Sequence, residues 1–167
     1  KKMANVENVY VINLDKRNDR LSKIDEELKR QNIEYDRFQA IYGETMNEQQ
    51  LDDIEDEALN KLVMNERKCH EELASFNSVG VFYSHIELIK KISTLNDDKT
   101  AIIIEDDINI NDHFVDKLGK IWDGIPKTYD ILILGYTPII QNENEVMRIN
   151  QYIARYLHYW GMGFYIL

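Results

Sequence analysis

Apolar residues in this chain fall into two periods, and the alternation between them predicts the elements. Val9-Tyr10-Val11-Ile12-Asn13-Leu14 is a short run rich in β-branched residues and predicts a strand. Asp15 to Asn18 then form a polar turn. Leu21, Ile24 and Leu28 follow at helical spacing with charges between them, which predicts an amphipathic helix ending near Asn32. Residues 35–41 form a second strand-like segment, closed by Gly43. Across 44–60 a thin stripe of Leu51, Ile54, Ala58 and Leu62 suggests a helix, with Asn47 and Gln50 at the spacing of a capping box. Residues 78–95 predict a stronger helix, with Val79, Phe82, Tyr83, Ile86 and Ile89 on one face. Thr100-Ala101-Ile102-Ile103-Ile104 is continuously apolar, as in a strand covered on both sides. Asn111 or Asp112 is placed to cap a helix carrying Phe114, Leu118, Ile121 and Trp122. Residues 130–135 and 160–167 read as two more buried strands.

Strands alternating with helices imply an α/β layer fold with a mostly parallel sheet. Such sheets bind ligands outside the carboxyl ends of their strands. Three such ends carry polar groups: Asn13-Leu14-Asp15, Glu105-Asp106-Asp107 and Gly135-Tyr136.

The chain has 167 residues with 44% hydrophobic content, enough for one domain with a core. Residues 1–167 are therefore read as a single unit, with an acidic insertion at 44–72. Thirty acids against 20 bases give a net charge of −10, and the bases are scattered, which argues against a nucleic-acid partner. A phosphorylated ligand would need a local cation, either arginine or a metal. Cys69 is the one cysteine, so no internal disulfide forms. No apolar run reaches the about 20 residues of a membrane span. The cytoplasm is the default compartment, with the secretory pathway open if a leader has been removed. The start without methionine and the apolar finish at Phe164-Tyr165-Ile166-Leu167 suggest part of a longer polypeptide.

Three consecutive acids behind a run of isoleucines are costly, because adjacent carboxylates repel at a partly desolvated strand end. A divalent cation such as Mn²⁺ or Mg²⁺ compensates such a cluster and shares its shell with substrate phosphates. In a continued strand Glu105 and Asp107 would point to one side and Asp106 to the other. The spacing alone fits several enzyme classes. A haloacid-dehalogenase-type phosphatase needs a nucleophilic Asp with a second Asp two residues on, which Glu105-Asp106-Asp107-Ile108 matches poorly. A receiver domain needs an acceptor Asp on a later strand, where this chain has Gly135-Tyr136. Cys69-His70, His113 and His158 lack zinc-ligand spacing.

Several segments taken together resemble glycosyltransferase family 25, which includes lipopolysaccharide and collagen galactosyltransferases. Residues 11–20, from Val11 through Asn13, Arg17 and Arg20, resemble the family's INLxxRxDR opening. Phe38 to Gly43 resembles its F-x-A-x-x-G element, and Gly80 to His85 its G-x-x-x-SH helix. Ile104-Glu105-Asp106-Asp107 is similar to its EDD motif, and Tyr129-Asp130-Ile131 to its following strand. Gly161 to Tyr165 resembles a later G-x-x-Y strand more weakly. The acidic insertion after Gly43 departs from the short bacterial members.

The resemblance implies a GT-A-like, Rossmann-type sandwich, truncated at its C-terminal end. It implies a UDP-sugar donor, Mn²⁺ or Mg²⁺, and inverting transfer of galactose or glucose to a glycan or protein acceptor. Asn13, Arg17, Arg20, Ser84, His85, Glu105 and Asp106 would then face the nucleotide-sugar, and Asp107 with Glu105 the metal. A lone histidine on a helix flank, such as His85, also has an ordinary packing role. The alternative is a non-catalytic domain of the same fold, serving as an interaction or structural part of a larger protein.

Overall fold

The computed structural model describes residues 6, 8–47, 51–52, 54–67, 69, 72–95, 100–137, 146–151, 153–156 and 160–167. Its contacts divide the chain into two compact units, one of residues 1–13, 17–37 and 98–167, the other of 14–16 and 38–97.

Seven strands and four α-helices are found among the described residues. In chain order they are β1 (Asn8–Asn13), α1 (Asn18–Arg30), β2 (Asp36–Gln39), α2 (Asp56–Val63), α3 (Phe76–Ser93), β3 (Ala101–Glu105), α4 (Phe114–Ile121), β4 (Leu132–Thr137), β5 (Val146–Arg148), β6 (Ala154–Tyr156) and β7 (Trp160–Ile166). Five strands form one sheet in the order β2-β1-β3-β7-β4, and β5 and β6 form a hairpin. β1 and β3 run parallel, and β7 lies antiparallel between β3 and β4. β1, β3 and β4 therefore share one direction, which makes this the mixed α/β, mostly parallel architecture expected.

The first unit is built around β3. Ala101, Ile102 and Ile103 are fully buried and Ile104 nearly so, as a strand covered on both faces requires. Ile102, Ile104, Val9, Val11, Phe164 and Ile166 pack with Ile24 and Leu28 of α1 and Leu118 of α4. Burying each such side chain contributes about 1.5–3 kcal/mol. α1 stops where Asn32 takes a left-handed φ of 55°. Its N–H bonds Lys29 O at 3.0 Å, and that of Ile33 bonds Leu28 O at 3.0 Å. This paired closure also turns Ile33 into the core.

Four local expectations are corrected. Among the described residues, the α-helix read across 44–60 is α2, which starts after Glu55 and not at Asn47; a short 3-10 turn occupies Gly43–Thr45, and Gln50 lies outside the described residues. On α3 the buried positions are Val79, Gly80, Tyr83, Ser84 and Leu88, whereas Phe82 is about half exposed with its ring edge-on to Tyr83. Neither Asn111 nor Asp112 caps α4; His113 precedes it in a left-handed conformation with no side-chain cap. β4 begins at Leu132, two residues after Asp130. Its Tyr136 side chain lies outside what is described, as do the side chains of Trp160 and Met162 and all of His70 and His158.

In the second unit Ser75 caps the start of α3, its hydroxyl accepting from Ser78 N–H. The helix approaches the 41–43 segment very closely. A Cβ at Gly80 would lie 2.6 Å from both Gly43 N and Ile41 O, and one at Gly43 would overlap the carbonyl of Phe76. The Ser84 hydroxyl donates to Gly80 O at 2.7 Å and accepts from Ile41 N–H at 2.8 Å. The two motif glycines and Ser84 thus form one packing joint. No helix among the described residues is long and apolar enough to cross a membrane.

Candidate functional site

Parallel register brings two of the three polar strand ends together. Ile12 of β1 is level with Glu105 of β3, so Asn13 lies beside Asp106. Level with Ile104 stand Phe164 of β7 and Gly135 of β4, so β4 ends at the same edge of the sheet.

Asn13 is the hub of this edge and is 1% exposed. Its Nδ2 donates to Asp106 Oδ2 at 2.7 Å and to Arg17 O at 3.0 Å. Its Oδ1 accepts from Arg37 Nε at 2.9 Å, and Arg37 also donates to Asn13 O at 3.3 Å. An amide has one donor end and one acceptor end. Arg37, which can only donate, therefore fixes which end meets Asp106. Arg37 belongs to no motif and was missed by reading the sequence.

Asp106 and Asp107 do not continue the strand. β3 stops at Glu105 and the chain turns, so the side alternation expected of the triplet ends there. Both acids reach one arginine: Arg20 Nη1 is 3.2 Å from Asp106 Oδ1 and 3.0 Å from Asp107 Oδ2. The Asp106 side chain is 10% exposed and that of Asp107 49%. Glu105 is half-buried, its carboxyl carbon 3.5 Å from where a Cβ on Gly163 would stand. Gly163 leaves room there for both Glu105 and Ile108.

One face of α1 holds the whole loop that follows. Arg20 meets Asp106 and Asp107, and Lys23 Nζ donates to Asn109 Oδ1 at 2.6 Å. The buried Glu27 accepts from Ile110 N–H at 2.6 Å, and Gln31 Nε2 donates to Asn111 O at 3.2 Å. Arg30 lies 3.7 Å from Asp112. Residues three and four apart share a helix face, so this spacing is a helical ruler for the 106–112 segment.

Arg17 forms a fork on Asp19, with Nε to Oδ1 at 2.9 Å and Nη2 to Oδ2 at 2.7 Å. The guanidinium holds the Asp19 carboxyl down to about 2, and the carboxylate raises Arg17 in turn. Both groups are solvent-facing, and a fork on carboxylate is also the geometry of a fork on phosphate.

Of the expected site residues, Asn13, Arg17, Arg20, Glu105, Asp106 and Asp107 all belong to the first unit. Asn13 and Arg20 converge directly on the acidic turn. Ser84 and the half-buried His85 belong to the second unit, where Ser84 serves the packing joint already described. Within that unit Lys16 Nζ stands 3.3 Å over the Tyr42 ring, and Tyr42 donates to Glu44, which also accepts from Asn77. Both hydrogen bonds pull the Glu44 carboxyl below its ordinary range, Tyr42 contributing more. Among the described residues no three His, Cys, Asp or Glu side chains gather closely enough to hold a metal on their own. A magnesium-like cation needs only one or two carboxylates when substrate phosphates complete its shell. Asp107, half exposed, and Glu105 are hard oxygen donors of that kind.

The amide, the arginines and the acidic turn stand at the ends of the parallel strands, where α/β sheets of this kind bind their ligands. Sequence comparison is more specific. Residues 6–159 match the model of "Glycosyltransferase family 25 (LPS biosynthesis protein)", and the chain belongs to that family. It is 26% identical over 163 residues to procollagen galactosyltransferase 1-A of Xenopus laevis, covering 95% of this chain and 26% of that protein. It is 26% identical over 165 residues to procollagen galactosyltransferase 2 of Homo sapiens, covering 95% and 25%. A glycosyltransferase 25 family member of Aedes aegypti is 21% identical over 164 residues, covering 96% and 26%. The chain spans about a quarter of the length of these relatives.

Proposed function

We propose that this chain is the donor-binding part of a glycosyltransferase that moves galactose or glucose from a UDP-sugar to a hydroxyl on a glycan or protein, with inversion. The observation that carries the reading is the Asn13–Asp106–Arg20 cluster at the ends of β1 and β3, in a chain that belongs to family 25. The galactose preference and a protein acceptor draw on the names of the procollagen galactosyltransferase relatives.

Each residue then has a physical task. Asn13, held by Arg37, orients Asp106 toward the ribose side. Arg17, just before α1, and Arg20, on its first turn, offer planar donors to the diphosphate, helped by the positive end of the helix. Asp107 with Glu105 would hold Mn²⁺ or Mg²⁺. That cation, when bound, supplies Lewis-acid neutralisation of the departing diphosphate. The acceptor hydroxyl must lose its proton on the face opposite the leaving group, as inversion requires. Ser84 and His85 are proposed on the donor side through the family motif alone, with Ser84 acting by holding the 41–43 segment.

The full-length protein, given a panel of UDP-hexoses and Mn²⁺, is expected to hydrolyse or transfer from UDP-galactose or UDP-glucose well above the others. A panel with no turnover of any member would favour the non-catalytic alternative.

A further inference from the structure

We infer that Arg20 is a resident counter-ion for the acidic turn, which a divalent cation displaces from Asp107 and which then serves the nucleotide diphosphate. The inference rests on the donor-site reading above and gives its metal a competitor within the protein.

A single nitrogen, Nη1 of Arg20, lies between two carboxylates, 3.2 Å from Asp106 and 3.0 Å from Asp107. That is the place a small cation would take. The two acids are not equally committed. Asp106 is nearly buried and is also tied through Oδ2 to Asn13 at 2.7 Å. Asp107 is half exposed, and can exchange Arg20 for another cation without disturbing that buried bond. Arg20 is itself about one-third exposed and carries five donors on a flexible stem. It can leave Asp107 while its backbone stays in the first turn of α1. Arg17 stands on the same end of the helix, already in a fork on Asp19. Two guanidiniums at one helix start, Arg17 on Asp19 and Arg20 between Asp106 and Asp107, suit a ligand with two phosphates.

Removing the Arg20 guanidinium then has two effects of opposite sign. Without nucleotide, a divalent cation loses its competitor and binds more tightly. With the cation present, the nucleotide loses a charged donor and binds more weakly. An arginine that only contacts phosphate, or only supports the fold, does not produce both.

The test uses the full-length protein and Arg20→Gln. Free Mn²⁺ is followed by electron paramagnetic resonance without nucleotide, and UDP binding is then measured at saturating Mn²⁺. The expected result is Mn²⁺ binding roughly two- to five-fold tighter, the scale of one exposed ion pair. UDP binding is expected to weaken roughly ten-fold or more, the scale of one charge-assisted hydrogen bond. Arg20→Lys keeps a cation and should return Mn²⁺ affinity toward wild type, which separates the effect from misfolding. If wild type binds Mn²⁺ with UDP but Arg20→Gln leaves Mn²⁺ affinity equal or lower, the inference is overturned alone. Wild type that binds neither overturns the donor-site reading and the inference together.

Discussion

Replacing Gly43 with alanine is expected to unfold the joint between α3 and the 41–43 segment. The added Cβ would overlap the Phe76 carbonyl, and backbone cannot move aside as a flexible side chain can. Overpacking ordinarily costs about 1–3 kcal/mol, and against rigid backbone the upper end or beyond is expected. That is a large share of a stability of roughly 5–15 kcal/mol. Gly80→Ala meets Gly43 N and Ile41 O at 2.6 Å and should act in the same direction. Hydrogen exchange on the amides of α3 reads this directly. Protection is expected to collapse there in Gly43→Ala, whereas wild-type protection would show that the segment yields without cost.

Asn13→Ala is expected to have the second-largest effect. It removes the buried donor from Asp106 and the acceptor from Arg37 in one step. A buried polar group stripped of its partner costs about 1–3 kcal/mol, more when charged, so roughly 2–3 kcal/mol is expected. Arg37→Ala should cost less, because Arg37 is exposed and water can replace it at Asn13 Oδ1. Exchange of the β1 and β3 amides measures both. Equal effects for the two variants would remove Asn13 from its position as the hub.

How much of this was legible in the sequence depends on what each segment's signal was made of. β1, β3, β7 and α1 were read within a residue or two: β1 and β3 are apolar runs rich in β-branched residues, β7 ends in the apolar run Phe164-Tyr165-Ile166, and α1 carries Leu21, Ile24 and Leu28 at helical spacing. The acidic turn was visible for the same reason, standing directly behind Ile102, Ile103 and Ile104. The hairpin of β5 and β6 was not read, since three-residue strands give no period to detect. Phe82 was grouped on one face with Val79 and Tyr83 because hydrophobicity was counted and close approach was not. α3 instead turns inward the side carrying Gly80 and Ser84, where small residues let the backbone come near. Arg37 and Glu27 were missed because their meaning lies in partners 24 and 83 residues away. The alternation assumed for Glu105, Asp106 and Asp107 failed because a strand period says nothing about a turn.

The family-25 motifs thus divide into two physical kinds. The Asn13-to-Arg20 and Glu105-to-Asp107 segments build the polar edge at the ends of β1 and β3. The Phe38-to-Gly43 and Gly80-to-His85 segments build a close backbone contact in the second unit.

The central claim is that the polar edge binds a nucleotide diphosphate through a divalent cation on Asp107. Calorimetric titration of UDP into the full-length protein, with and without Mn²⁺, tests it most directly. The account predicts UDP binding that depends on Mn²⁺ and that weakens at least about ten-fold, or 1.4 kcal/mol, in Asp107→Ala. UDP binding that is absent, or that is indifferent both to Mn²⁺ and to Asp107→Ala, would contradict it.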